Sequence, residues 1–165
     1  MQGPGEVERL LAAAATDPDQ ARKILVELDK LNAEERLIDF IRLMWPVLEP
    51  GRPFVEGRVI NVLCEYLEAV SRGEIKKLLI NVPPGLMKSM TTNVFWPAWE
   101  WLRQPHLRYI GASYSESLTI RDNLRFRRLI MSPEYRLLWG DRFGLAGDQN
   151  EKRKIENTRT GWKFA

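Results

Sequence analysis

Cysteine and histidine are almost absent from this chain: it has one of each, Cys64 and His106, in 165 residues. A single cysteine closes no internal disulfide, and a lone histidine without a cysteine cluster supplies no structural zinc site. A reducing compartment is the default expectation, and both residues read as structural or incidental. Long apolar runs are also missing. None approaches the roughly 18 residues that cross a bilayer. The N-terminal stretch MQGPGEVERLLAAAATDPDQ starts acidic and holds only a short apolar run, unlike a signal peptide. No membrane association is expected. Internal repeats and low-complexity segments are lacking. The net charge of +3 is too small to identify nucleic acid as a partner by itself.

What is present is ordinary for a globular chain, with 44% hydrophobic and 28% charged residues. The length suffices for one domain with a real core. Six tryptophans are many for this size, and Trp96, Trp99, Trp101 and Trp139 read as core packing.

Periodicity divides the chain into an N-terminal helical region, residues 1–45, and an α/β region, residues 46–165. Val7 to Ala15 suits a short helix. Asp17-Pro18 is a helix start, with aspartate as cap and proline in the first turn. Ile24, Leu25, Leu28 and Leu31 follow at helical spacing. Asn32 with Glu35 resembles a capping box. A further helix carries Leu37, Phe40, Ile41 and Met44 on one face and should end before Pro46. After the turn cluster Glu49-Pro50-Gly51-Arg52-Pro53, Gly57 to Val70 forms a helix whose stripe is Val59, Val62, Leu63, Tyr66, Leu67 and Val70. Gly73 fits the position just past its end. Leu78 to Val82 is a short continuous apolar run, expected as a strand buried on both faces. Lys88 to about Arg103 is helical, with Pro97 starting a new turn or kinking it. Arg108 to Ser113 is a second buried strand. A helix from Ser115 or Glu116 to about Met131 follows, then a loop from Trp139 to Gly147. Lys154 to Asn157 and Gly161 to Ala165 form a hairpin. The sum is an α/β fold with a parallel sheet flanked by helices.

The stretch LLINVPPGLMKSM, Leu78 to Met90, carries the chemistry. A phosphate cradle needs converging backbone N–H groups at a helix start, a lysine for the outer phosphates and a hydroxyl for magnesium. Lys88 and Ser89 stand in that order after the apolar run, and Gly85 supplies a flexible backbone position. The motif G-x-x-x-x-G-K-[ST] wants glycine where this chain has Val82 and Met87. Local chemistry therefore leaves two readings open, a phosphate loop or a plain strand-to-helix turn.

Several segments together resemble one family. Pro53-Phe54-Val55, the helix to Gly73, Pro83-Pro84-Gly85-Leu86-Met87-Lys88-Ser89, and YIGASYSESLTIRDNLRFRRLIMSPEYRLLWGD from Tyr109 to Asp141 follow in order. Asp148-Gln149-Asn150 and ENTRTGWKFA come after them. Over about residues 36–165 the chain resembles the ATPase domain of the large terminase subunit of tailed bacteriophages or prophages. The resemblance implies an incomplete P-loop NTPase fold of the ASCE type and a share in the ATP-driven motor that packages viral DNA into the capsid. It implies ATP and Mg²⁺ as cofactors. Pro84, Gly85, Leu86, Met87, Lys88, Ser89 and Met90 would line the nucleotide, Lys88 would reach the β- and γ-phosphates, and the Ser89 hydroxyl would bind magnesium. Implied partners are duplex DNA, a small terminase subunit, the portal ring and further copies of the chain in a ring, in the host cytoplasm and transiently at the procapsid portal.

The family's acidic strand-end motif, coupling motif and nuclease domain cannot be placed in this sequence. Asp141 and Asp148 lie in glycine-rich loop and are assigned no such role. Turnover by this chain alone is not expected. A defective prophage remnant without catalysis and part of a helicase-like P-loop motor remain as alternatives.

Three weaker signals complete the reading. Arg121, Arg125 and Arg128, with Arg127 adjacent, form a basic stripe that suits a solvated face, DNA phosphates or a neighbouring subunit's nucleotide. Ser113, Tyr114 and Ser115 end the second strand, where a helix-capping turn or a ligand contact would sit. Phe54 and Arg58 occupy the place where the resemblance puts an adenine-contacting element.

Overall fold

The computed structural model describes residues 17–147 and 152–165. The expected helix over Val7 to Ala15 and the stretch Asp148-Gln149-Asn150 lie outside the described residues. Helix α1 (Pro18–Glu35) starts as its sequence dictates, with Asp17 accepting the N–H groups of Asp19 and Gln20. It runs through Asn32 without a break. The next N-cap is Arg36, so Asn32 and Glu35 do not form a capping box. Instead Glu68 of a later helix accepts the Leu37 N–H at 2.7 Å and satisfies the start of α2 (Leu37–Leu48). Pro46 lies inside the last turn of α2 rather than beyond it. Proline has no N–H to return to the Arg42 carbonyl, so the helix loses one ladder bond there and ends two residues beyond Pro46.

Helix α3 (Arg58–Ser71) closes on Gly73 at φ 77°. Only part of its stripe is covered: Ile60, Leu63, Cys64 and Leu67 are buried, while Val59, Val62 and Tyr66 are exposed. Burial pushes the Cys64 thiol up to about 12, as befits a structural cysteine. A helical stretch follows without a gap as α4 (Lys88–Met90), a π-helical turn (Thr91–Phe95) and α5 (Trp96–Arg103). Pro97 sits in the first turn of α5. The wider turn just before it accommodates the N–H that proline lacks. Helix α6 (Glu116–Met131) and α7 (Pro133–Trp139) meet at Ser132, whose hydroxyl accepts the Tyr135 N–H at 3.1 Å.

Three short strands form one mixed sheet in the order β1-β3-β2. β1 (Arg108–Ile110) pairs parallel with β3 (Trp162–Phe164), and β2 (Lys154–Glu156) pairs antiparallel with β3. The hairpin forms as its sequence suggests. β1 is shorter and more exposed than expected, with Ile110 75% exposed. Leu78 to Val82 differs more: it has no strand partner among the described residues, and Leu79 is 94% exposed. An apolar run becomes a buried strand only when other strands pair with its edges and helices cover its faces, and no strand among the described residues lies beside it.

The core is centred on α2. Phe40 meets Phe95, Tyr135 and Trp139 in edge or tilted ring contacts, and Trp101 lies edge-on to Phe126 and Phe143. Such rings contribute apolar burial of ~1.5–3 kcal/mol each plus specific geometry. Each core tryptophan also finds an acceptor: Trp99 donates to the Ala33 carbonyl, Trp101 to Leu107, Trp139 to Glu34 and Trp96 to Ser71. Tyr109 donates to the buried Glu100 carboxylate, and burial beside that charge holds its phenol far above the ordinary range. No described helix is long and apolar enough to cross a membrane.

Candidate functional site

The loop from Val82 to Met90 forms one wall of a cleft of about 520 Å³. Its backbone bends through two left-handed residues, Gly85 at φ 87° and Met87 at φ 58°. Met87 is the residue that stands where the phosphate-loop motif prefers glycine. Its conformation gives the reason for that preference, since a Cβ costs about 1–2 kcal/mol in this region. The Thr91 N–H is the first to turn back into the loop, reaching the Met87 carbonyl at 2.9 Å. The N–H groups of Gly85 to Met90 have no hydrogen-bond partner among the described residues. Successive free N–H groups beside left-handed residues are the arrangement that backbone anion nests use. The hydroxyls of Thr91 and Thr92 are occupied by the Met87 and Lys88 carbonyls.

Lys88 is half-buried and has no ion-pair partner among the described residues; Ser89 is exposed beside it. Lysine, hydroxyl and free N–H groups thus share one surface. The opposite wall comes from distant parts of the chain: Trp45 and Glu49 at the end of α2, Arg52 in the following turn, and Arg125 of α6. The turn is anchored by Trp45, whose indole N–H donates to the Arg52 carbonyl at 2.7 Å. Trp45 in turn stacks on Phe95 and tilts against Phe54. On the far side of Leu86 and Met87 a second hollow of about 370 Å³ is bordered by Arg52, Val55 and Arg58.

The basic stripe on α6 therefore divides. Arg125 reaches the cleft, where it faces Glu49 at 3.5 Å. Arg121 folds onto its neighbour Asp122 at 2.9 Å, and Arg128 is exposed. Ser113, Tyr114 and Ser115 do not join the cleft. Tyr114 is 96% exposed, and the Ser115 hydroxyl meets Ser117 rather than capping the α6 backbone. Phe54 packs on Trp45, and Arg58 borders the smaller hollow together with Leu86 and Met87 of the loop. His106 and Asp141 are exposed and stand apart from the cleft.

Glu49 and Arg52 carried no sequence signal beyond a turn cluster. Lys163 was equally silent. It is 2% exposed, donates to Asn123 at 2.7 Å and lies over the Phe126 ring. Burial lowers it to about 8 against the opposing charge of Asp122. Asn123 also donates to the Lys152 and Arg153 carbonyls, so this buried group ties β3 and the approach to β2 to α6.

Among the described residues no three His, Cys, Asp or Glu side chains converge as a metal centre. A magnesium ion at the loop would be held by the Ser89 hydroxyl together with phosphate oxygens and water, the hard oxygen set that this ion prefers. Compared with models of protein families, with curated proteins and with solved structures, the chain matches none of them.

Proposed function

We propose that Val82 to Met90 is a phosphate-binding loop for Mg-ATP, and that the chain is the ATP-binding part of a viral DNA-packaging motor ATPase of the terminase large-subunit type. The observation that carries the loop reading is the left-handed backbone at Met87, immediately before Lys88. It supports a phosphate loop in which methionine tolerates the conformation that glycine usually fills. In this reading the N–H groups of Gly85 to Met90 receive phosphate oxygens. The Lys88 ammonium neutralises the β- and γ-phosphates, and Ser89 supplies a magnesium ligand. In this reading the smaller hollow by Val55 and Arg58 would receive the base.

Duplex DNA, a small terminase subunit, the portal ring and neighbouring copies of the chain are the partners this reading carries, in the host cytoplasm and at the procapsid portal. Water activation needs an acidic group that this sequence does not identify, so binding without useful turnover is the expected behaviour.

The test is calorimetric titration of Mg-ATP into the folded chain and into Lys88→Ala. Binding that is lost on substitution supports the phosphate loop. A folded chain that takes up no Mg-ATP, or that binds it equally well without Lys88, overturns it.

A further inference from the structure

We propose that Arg125 is a phosphate-contacting residue held in check by Glu49, so that the cleft admits a polyphosphate by exchanging one anion for another. The inference rests on the phosphate reading of the Val82 to Met90 loop and adds a partner from the opposite wall.

The two groups meet on the wall that faces the loop, from elements that are fixed independently. Arg125 lies on α6 between Asn123 and Phe126, both fully buried, so its backbone is held by the core. Glu49 caps α2: its N–H bonds the Trp45 carbonyl at 3.0 Å, and its own carbonyl accepts the Arg52 N–H at 3.1 Å. Only the side chains are free to move. Their contact is loose, at 3.5 Å, with the arginine side chain 34% and the glutamate 24% exposed. A partly solvated pair of this kind contributes at most about 1 kcal/mol and is easily exchanged. A guanidinium prefers a phosphate offering two oxygens and more than one charge over a single distant carboxylate.

With Lys88 and Arg52 the cleft gathers three cationic side chains and one carboxylate. Neither Lys88 nor Arg52 has an ion-pair partner among the described residues, so Arg125 is the cation of the three that must be released. The carboxylate has two effects. It neutralises Arg125 when no anion is present, and it repels a phosphate that fails to draw Arg125 away. A ligand with two or more linked phosphates can occupy the loop and Arg125 together. Orthophosphate can satisfy only one of them.

The test is a titration series with Mg-ATP, inorganic tripolyphosphate and orthophosphate against wild type, Arg125→Gln, Glu49→Gln, the double variant and Lys88→Ala. Each protein is first shown to melt cooperatively. Arg125→Gln is expected to weaken Mg-ATP and tripolyphosphate by about tenfold, the scale of one lost charge-assisted hydrogen bond. Glu49→Gln is expected to tighten both about three- to fivefold, and orthophosphate as well. The Glu49 effect should diminish in the Arg125→Gln background, since its main role is to compete for that arginine. Mg-ATP binding that needs Lys88 but is unchanged by Arg125→Gln overturns this proposal and leaves the loop reading intact. Glu49→Gln binding no tighter than wild type overturns it equally. A chain that binds none of the three ligands overturns both.

Discussion

The left-handed backbone at Met87 sets a stability order opposite to the usual one. At ordinary sites alanine is more stable than glycine by about 0.4–1 kcal/mol, because glycine has more freedom to lose on folding. At φ 58° any L residue with a Cβ carries about 1–2 kcal/mol of strain that glycine escapes. Met87→Ala keeps that strain and loses the half-buried thioether contact with the core, worth on the order of 1 kcal/mol. Met87→Gly loses the same contact and removes the strain. The expected order is therefore wild type and Met87→Gly close together, with Met87→Ala lower by about 0.5–1 kcal/mol. Urea unfolding followed by circular dichroism reads this as a shift in midpoint at constant slope. Alanine as stable as glycine at this position would refute the strain argument. Mg-ATP binding retained in Met87→Gly would separate the loop's chemistry from its stability.

Thr160 in the β2–β3 turn is a simpler case: a β-branched residue at φ 66°, exposed and with no packing to lose, so Thr160→Gly should raise stability by roughly 0.5–1 kcal/mol in the same assay. Its neighbour has the opposite constraint. A Cβ on Gly161 would sit 2.0 Å from the Pro105 carbonyl oxygen and 2.9 Å from that of Leu107, both backbone atoms. Gly161→Ala should therefore lower stability by more than about 2 kcal/mol, measured as loss of the unfolding midpoint. Lys163 makes stability depend on pH. Its folded value of about 8 lies below the ordinary 10.5, so unfolding takes up a proton between those values and stability rises with pH across that window. Between pH 7 and 9 this lysine should add about 1.4 kcal/mol, and the wild-type curve should climb relative to Lys163→Met by that amount. A flat difference would refute the assignment. Staying below pH 9 avoids Cys64, whose raised value acts with the opposite sign at higher pH.

Local signals were legible where one residue decides one turn. Asp17-Pro18 starts α1, Gly73 ends α3, and Leu37, Phe40, Ile41 and Met44 are all buried on one face of α2. The periodic pattern also finds the helix carrying Leu25, Leu28 and Leu31, yet these side chains are 61%, 45% and 48% exposed. Periodicity tells which residues share a face, and only the tertiary structure tells whether anything covers it. Leu78 to Val82 fails for the same reason, because burial on two faces needs partners that local sequence does not name. At the candidate site the order of Lys88 and Ser89 was readable in the chain. The facing wall was not: Glu49, Arg52 and Arg125 come from separate elements, and no spacing rule joins residues that only the fold brings together. The helical stripe nominated three arginines equally, and of these only Arg125 lines the cleft, beside Glu49.

Helix α1 is fastened at one end. Ala33 is its only fully covered residue, and its last carbonyls receive Trp99 and Arg103, with Arg103 lying 4.1 Å over the Trp99 ring. Glu34 holds both Trp139 and Arg142. Toward Asp17 the helix has its own backbone ladder and a capping aspartate but little that the core covers. Protection against amide exchange should therefore form a gradient, slow near Glu34 and fast near Gln20, with opening that proceeds from one end while the core stays shut. The first half of α1 is thus free to fray or be re-covered at small cost, and the last turn is bound to the global stability of the protein.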